Sequence, residues 1–233
     1  MLQSKSITTK MNLVDILRSH RGQFSHILGY ALTNDNARQL NLSITNTELL
    51  NKDYETYVSK LDHEHYVWLG GYGEQRSIYN SSSLFSDVDR CIHLGVDIQL
   101  TPGTSIFAPL AGKIHSFNDN AQPYDYGPTI IIEHELNGHT FHTLYGHLSR
   151  ESLTNLKIGQ LIEKDQLFCH IGNREVNGGW PPHLHFQVIE DMQNNIGDYP
   201  GVASKKDAPI FLANCPDPSF LLGFPNEPII YNI

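Results

Sequence analysis

The dipeptide Asn137-Gly138 is the feature that most restricts how this chain of 233 residues can fold. It separates PTIIIEHEL (residues 128–136) from HTFHTLYGHL (residues 139–148), and both runs are rich in β-branched and aromatic residues. Asn and Gly both tolerate the positive φ angles that a two-residue turn between antiparallel strands requires. The sequence therefore predicts a β-hairpin across residues 128–148.

Further runs of strand character lie on both sides of this hairpin. The 18 Gly and 12 Pro residues favour many turns and hence a β-rich chain. APLAGKI (residues 108–114) and GQLIEKDQLFCHIG (residues 159–172) resemble the two halves of a barrel-sandwich fold. We therefore expect a mainly β, barrel-sandwich (duplicated hybrid motif-like) core over residues 66–233, with an irregular Pro-rich tail. The strand candidates are YVWLGGYGE, CIHLGVDIQL, TPGTSIFAPLAGKIHSF, PTIIIEHEL, HTFHTLYGHL, IGQLIEKDQLFCHIG and HLHFQVIED.

Residues 1–65 have a different pattern from the rest of the chain. Residues 11–20 carry apolar side chains at helical spacing, and residues 46–61 do so over a longer stretch. LNLSIT (residues 40–45) alternates between apolar and polar residues, which predicts a short strand. We expect a small α/β appendage, largely helical, that docks on the β-rich domain.

Composition and charge exclude several classes of partner. The formal net charge is −9, so the protein has no general attraction for phosphate backbones or anionic lipid. We expect neither a nucleic-acid nor a membrane partner, and nothing in the sequence indicates an oligomeric state. Three scattered cysteines without a CxxC pair suit a reducing compartment. The first 20 residues lack the apolar run and cleavage site of a leader, so we expect a cytoplasmic protein.

Two histidine spacings indicate a metal site. His93 and Asp97 lie four residues apart in a strand-like run, and residues of equal parity share one face of a strand. His183 and His185 share a face for the same reason, at the start of an alternating run. Zinc hydrolases use three protein ligands of these types and keep one position open. Together with His147 at the end of the hairpin, the motifs supply two histidines and a carboxylate for zinc, and two further histidines for proton transfer.

The motifs HLGVD, YGHLS and HLHF, in this order, resemble those of the lysostaphin-type (LytM-like) zinc metalloendopeptidases. The resemblance runs from about residue 90 to residue 189 and includes PGTSIFAPLAGKI and GQLIEKDQLFCHIG. It implies a peptidase core with Zn²⁺ as cofactor and a peptide substrate, often a peptidoglycan cross-bridge. It also implies that His93, Asp97 and His185 bind the metal. His147 and His183 would form the catalytic pair, with one of them as general base.

Other features are similar to a subgroup of this family that is joined to aminotransferase and kinase-like domains in larger intracellular enzymes. These features are the segment before Tyr66, the context GGWPPHLHF and the tail DYPGVASKKDAPIFLANCPDPSFLL. This second resemblance implies a small amide or peptide substrate, whereas the family as a whole implies a peptidoglycan-type substrate.

The sequence leaves alternatives open. A non-catalytic zinc-binding module of the same fold, which recognises a peptide or activates a partner, would keep the same motifs. His63 and His65 form a second H-x-H pair and hence a rival metal site. A carrier domain of barrel-sandwich type would bear its acyl group on a lysine such as Lys164, and would leave the histidine motifs unexplained. Trp180 is either a wall of a substrate cleft or a packed aromatic residue in a rigid turn.

Overall fold

The computed structural model describes residues 11–81 and 89–223, which form a mainly β protein as the sequence predicts. The first ten residues, on which part of the prediction about a leader depends, lie outside these ranges. Within the two described ranges, no helix combines the length and the apolar character that crossing a bilayer requires. The helices are α1 (Leu13–Ser19), α2 (Thr47–Leu50), α3 (Tyr54–Val58), α4 (Ala208–Asn214) and α5 (Ser219–Leu222), with 3-10 turns at Ile78–Ser81 and Arg150–Leu153.

Twelve strands are found in the described ranges, and eight of them form one sheet. The strands are β1 (Ala37–Leu40), β2 (Val67–Gly70), β3 (Arg90–His93), β4 (Val96–Gln99), β5 (Ser105–Phe107), β6 (Gly112–Asn120), β7 (Gly127–Leu136), β8 (His139–Gly146), β9 (Leu161–Ile162), β10 (Leu167–His170), β11 (His183–Ile189) and β12 (Val202–Ser204). The order in the large sheet is β1-β2-β4-β11-β8-β7-β6-β9, while β10 pairs with β5 and β12 with β3. No closed barrel is found among the described strands.

The predicted hairpin is confirmed and lies within the large sheet. β7 and β8 pair in antiparallel register from Leu136 opposite His139 to Ile130 opposite Tyr145. The turn residues Asn137 and Gly138 have φ angles of 53° and 74°, the left-handed values that a turn of this kind needs. Residues 158–172 likewise supply the two short strands expected there, β9 and β10.

The large sheet is buried on both faces around β11, because every residue of that strand is buried. Leu184, Phe186 and Val188 pack into the main apolar core. Ile189 belongs to a second cluster on the opposite face, which helix α4 and Cys215 help to close. Burial of one such side chain contributes roughly 1.5–3 kcal/mol relative to its exposed state. The three polar residues of β11 are therefore enclosed by protein instead of facing solvent.

The N-terminal segment is joined to the β domain by strand pairing. β1 pairs in parallel with β2, and β2 pairs with β4, so β1 forms one edge of the large sheet. The strand predicted at residues 40–45 is wrong, because β1 ends at Leu40. Ser43 instead donates its hydroxyl and its backbone N–H to the Asn41 side chain, and local bonds of this kind compete with strand pairing.

The continuous helix predicted over residues 46–61 is also wrong, since the structure contains two short helices there. Asn46 caps α2, and its side chain accepts hydrogen bonds from Glu48 N and Leu49 N. Asp53 then caps α3 by accepting from Thr56 N at 2.8 Å. The second cap restarts the helix because an aspartate in extended conformation satisfies the first free N–H groups. The tail expected to be irregular likewise contains the helices α4 and α5.

Candidate active site

Three adjacent strands of the large sheet bring the predicted motifs together. On β11, His185 lies opposite Asp97 of β4 on one side and opposite Gly146 of β8 on the other. Directly opposed residues of neighbouring strands project from the same face. Gly146 is the last residue of β8, so His147 follows directly at the edge of this cluster. The arrangement results from pairing between strands that are far apart in the chain.

His93 completes the cluster from the end of β3. Its Nε2 lies 3.1 Å from His185 Nδ1 and 3.2 Å from Asp97 Oδ1. His185 Nδ1 lies 3.0 Å from the same Asp97 Oδ1. Gly95 permits this convergence, because a Cβ there would come within 2.9 Å of the His185 ring. One ligand atom from each of the three residues lies within 4.8 Å of the others, and all three residues are buried.

The hydrogen bonds of the two imidazoles leave the right nitrogens free for a metal. His93 Nδ1 donates to the carbonyl of Gly71 at 2.9 Å, and His185 Nε2 donates to Gln187 Oε1 at 2.9 Å. The Gln187 amide is oriented by donation from its Nε2 to the carbonyl of Pro200 at 3.1 Å. Partners of this kind fix the tautomer of metal-binding histidines. The two facing nitrogens and one carboxylate oxygen form a donor set that fits Zn²⁺.

Electrostatics keep this cluster in the protonation states that a cation needs. Burial, reinforced by the Arg76 charge, lowers the pKa of His93 to about 4. Burial alone would raise the pKa of Asp97, but the neighbouring His93 and Arg76 hold it well below its usual value. At neutral pH the site therefore offers a neutral imidazole and an ionised carboxylate.

His147 and His183 form a second pair of imidazoles beside the first group, with ring centroids 4.2 Å apart. His147 Nδ1 donates to the carbonyl of Asn177 at 3.0 Å, and His183 Nδ1 donates to that of Pro181 at 2.7 Å. Each ring therefore has its lone pair on Nε2, and His183 Nε2 lies 3.8 Å from Asp97 Oδ1. Burial lowers the pKa of both imidazoles. Both rings are neutral at pH 7 and can accept a proton.

The backbone at His147 has an unusual conformation, with φ at 64°. Left-handed φ values in residues other than Gly carry strain and occur often at functional sites. The N–H of His147 donates to the carbonyl of Tyr126 at 2.9 Å, and its carbonyl accepts from Gly172 N at 2.9 Å. These two bonds hold the strained residue in place, so its ring faces His183 instead of continuing the alternation of β8.

The cluster opens into a cavity of about 240 Å³. Trp180 lines it, as expected of a cleft wall, and packs edge-to-face against three tyrosines. Tyr126 lies on another side, where its hydroxyl donates to the carbonyl of Tyr199 at 3.2 Å and lies 3.4 Å from His185 Nε2. The three tyrosines around Trp180 are Tyr54, Tyr79 and Tyr124.

Sequence patterns did not identify some residues of the candidate site. Gln187 follows His185 at i+2, and the parity of β11 places it on the same face, so this partner was detectable. Arg76 and Glu74 carry no sequence signal of a site, yet both are fully buried next to Asp97. Tyr54 belongs to the N-terminal segment, in which the sequence shows no chemistry, but it lines the cavity.

The rival sites lack comparable surroundings. His63 and His65 lie in an exposed turn, where His65 Nδ1 contacts the Asp62 carboxylate at 3.0 Å. Among the residues that the structure describes, they belong to no group of three metal-binding side chains. Lys164 is exposed and donates to the carbonyl of Gln23 at 2.7 Å. The fold and the buried cluster thus define a β-rich domain with a candidate metal centre of the type found in metal-dependent hydrolases.

Comparison with known proteins finds a family model that matches part of this domain. Residues 91–196 match the model described as peptidase family M23. This stretch contains the three candidate ligands and both additional histidines. It excludes Tyr54, Glu74 and Arg76, which precede it.

A curated relative and solved structures share parts of the sequence. An uncharacterized metalloprotease of Haemophilus influenzae is 30% identical over 95 residues, which are 41% of this chain and 18% of that protein. A zinc containing peptidase from Vibrio cholerae is 27% identical, with coverage of 42% and 27% and a TM-score of 0.35. The catalytic domain of lysostaphin from Staphylococcus simulans is 24% identical, with coverage of 52% and 80% and a TM-score of 0.37. The matched part thus spans about a fifth of the curated relative.

Proposed function

We propose that this chain is a zinc metalloendopeptidase, which hydrolyses a peptide or amide bond with a metal-activated water molecule. The observation that carries the proposal is the convergence of five buried side chains from separate segments on one cavity. These side chains are His93, Asp97, His147, His183 and His185.

In this proposal, His93 Nε2, Asp97 Oδ1 and His185 Nδ1 hold Zn²⁺. Zinc, when bound, lowers the pKa of a water ligand towards about 7 and polarises a substrate carbonyl as a Lewis acid. The chain contributes orientation, because Gly71 and Gln187 accept the outer N–H groups of the two imidazoles. Partners of this kind typically change metal affinity or activity by about 10–100-fold when they are removed.

His147 and His183 move the proton. Both rings donate from Nδ1 to backbone carbonyls, so each presents a basic Nε2 towards the cavity. One of them accepts the proton of the attacking water as general base, and the resulting imidazolium donates it to the leaving amine. Their depressed pKa values keep them able to accept a proton at neutral pH.

The substrate proposed is a peptide or a small amide. The resemblance to the family as a whole favours a peptidoglycan-type peptide. The resemblance to the subgroup with aminotransferase and kinase-like domains favours a small amide or peptide. The aromatic wall around Trp180 suits contact with apolar or planar groups of either substrate. A cytoplasmic location remains a prediction from the N-terminal sequence.

The test is hydrolysis by the purified protein, with products identified by mass spectrometry. The panel contains glycine-rich peptides, peptides with D-amino acids and small amides, each with added Zn²⁺ and with a chelator. We expect cleavage of at least one member that the chelator abolishes and that Zn²⁺ restores. Zinc and peptide binding without cleavage across the panel would support the non-catalytic module instead. Failure to bind zinc at neutral pH would overturn the proposal.

A further inference from the structure

The segment just before the matched domain provides an arginine that is wholly buried against a candidate metal ligand. Arg76 Nη1 donates to Asp97 Oδ2 at 2.5 Å, and the Arg76 side chain has no exposed surface. The other oxygen of this carboxylate, Asp97 Oδ1, lies next to the imidazoles of His93 and His185. The two oxygens of this carboxylate thus have different partners, a guanidinium on one side and the histidine pair on the other.

A second carboxylate balances the charge of the arginine. Arg76 Nε donates to Glu74 Oε2 at 2.7 Å, and Glu74 is as fully buried as Arg76. Glu74 Oε1 accepts from the backbone N–H of Leu42 at 2.8 Å. A charge in the protein interior is tolerated when it is paired and its hydrogen bonds are satisfied. Asp97, Arg76 and Glu74 therefore form a satisfied row of alternating charges.

The backbone of this segment is fixed to the ligand strand. Arg76 N donates to the carbonyl of Cys91 at 2.8 Å, and His93 N donates to that of Glu74 at 3.0 Å. The carbonyl of Gly71 accepts from Arg76 Nη2 at 3.3 Å and from His93 Nδ1 at 2.9 Å. At Gly70 a Cβ would come within 2.8 Å of Arg76 Nη2, so glycine leaves room for the guanidinium. Residues 70–76 thus contact two of the three candidate ligands.

We propose that Arg76 is a positioning residue that occupies Asp97 Oδ2 and so restricts this carboxylate to binding the metal through Oδ1 alone. The inference rests on the proposed function, because it assigns Asp97 to the metal. Without the guanidinium, Asp97 is free to turn both oxygens towards the ion, which raises the coordination number. Arg76 also offsets the negative charge of Asp97 before the metal binds, so the ligands stay assembled without it.

The test compares variants of the full chain by metal affinity and by spectroscopy. Arg76→Met removes the donor and its charge, while Arg76→Lys keeps the charge but loses the planar fork. Since Arg76→Met leaves Glu74 buried without its partner, a Glu74→Gln/Arg76→Met double variant removes both charges together. Arg150→Met is the matched control, because it removes an exposed arginine that pairs with Asp119 at 2.9 Å. Zinc affinity is measured by chelator competition, and the visible spectrum of bound Co²⁺ reports the coordination number.

We expect the Arg76→Met and double variants to lose about 10–100-fold in zinc affinity, the usual effect of removing an outer partner of a ligand. Their Co²⁺ spectra should become weaker, as coordination numbers above four produce, and Arg76→Lys should fall between them and the wild type. Arg150→Met should match the wild type in both measurements. Circular dichroism of the metal-free proteins identifies the variants that fold. Zinc affinities and Co²⁺ spectra are compared among the folded variants.

Two other outcomes overturn the inference in different ways. A folded Arg76 variant with zinc affinity within about twofold of wild type and an unchanged Co²⁺ spectrum would show that Arg76 only stabilises the fold, and the proposed function would stand. A wild-type protein that binds neither Zn²⁺ nor Co²⁺ would remove the proposed function and this inference together.

Discussion

Two H-x-H pairs in this chain have the same sequence pattern and opposite surroundings. His183 and His185 lie on β11 and are both buried. His63 and His65 lie in a turn after α3 and are both exposed. Each pair has an aspartate nearby, Asp97 for the first and Asp62 for the second. Among the residues that the structure describes, only the first pair has a further imidazole, His93, within ligand distance.

The difference between the pairs shows which surroundings an H-x-H pair needs to form a candidate metal site. On a strand, i and i+2 side chains project from one face, and neighbouring strands add residues from distant parts of the chain. In the turn at residues 63–65, the aspartate is only three residues from His65, so the contact is local. Buried partners also fix the tautomers of the strand pair, since His183 Nδ1 donates to the carbonyl of Pro181 and His185 Nε2 donates to Gln187. The exposed pair therefore serves as an internal control for the buried pair.

The largest expected effect is on turnover. His183→Ala should lower kcat by about 10²–10⁴-fold, the range for loss of a general acid–base group, while the zinc content stays at about one per chain. His65→Ala should leave both quantities unchanged. The measurements are hydrolysis of a substrate found in the peptide panel and metal analysis of the same samples. Equal loss of activity in both variants would remove the distinction between the two pairs.

The next effect is on acid stability and concerns His134, a buried histidine outside the site. Burial lowers its pKa from 6.5 to about 4 in the folded protein. Below pH 6.5 the unfolded chain therefore binds a proton that the folded chain excludes, and stability falls as the pH drops towards 4. The expected loss from this residue is about 3 kcal/mol across that window.

Denaturant unfolding of the metal-free protein at pH 7 and pH 4.5 measures this loss. The lowered pKa values of His93, His147 and His183 add to it in the same direction. His134→Gln should reduce the difference between the two pH values, whereas His63→Gln should leave it as in the wild type. If the loss of stability between pH 7 and pH 4.5 is the same in His134→Gln and in the wild type, His134 is not the source of the predicted loss.

A smaller effect is expected from the outer partners of the two pairs. Gln187→Met removes the acceptor of His185 Nε2 and should weaken zinc binding by about 10–100-fold. Asp62→Asn alters the corresponding partner of His65 and should not change zinc affinity. Chelator competition measures both. If the two substitutions weaken zinc binding equally, the exposed pair contributes to the bound metal.

The smallest effect is expected from the exposed pair itself. The double variant His63→Ala/His65→Ala should change the free energy of unfolding by no more than about 0.5 kcal/mol, the usual limit for surface substitutions. His65 is 66% exposed, and an ion pair with Asp62 at such a position contributes little. Urea unfolding at pH 7 measures the change, and a loss of several kcal/mol would indicate an unrecognised structural role.

Local signals in the sequence predicted much of this architecture. The Asn137-Gly138 turn defined the hairpin because its φ requirements are local, and the parity of β11 placed His183 and His185 on one face. The prediction of one helix over residues 46–61 was wrong because an aspartate can cap a helix or lie on the surface of one. The spacing of the apolar residues does not distinguish these two roles of Asp53. Non-local partners escaped detection. Burial of Arg76 depends on Glu74, Asp97 and the space at Gly70, which come together only in the folded chain.

The ligand assignment of His93, Asp97 and His185 remains a prediction, and metal content per chain tests it most directly. The wild type, His185→Ala and His65→Ala proteins are purified identically, supplied with Zn²⁺ at neutral pH and analysed by mass spectrometry. We expect about one zinc per chain in the wild type and in His65→Ala, and none in His185→Ala. One tightly bound zinc in His185→Ala, or its loss in His65→Ala, would contradict the assignment.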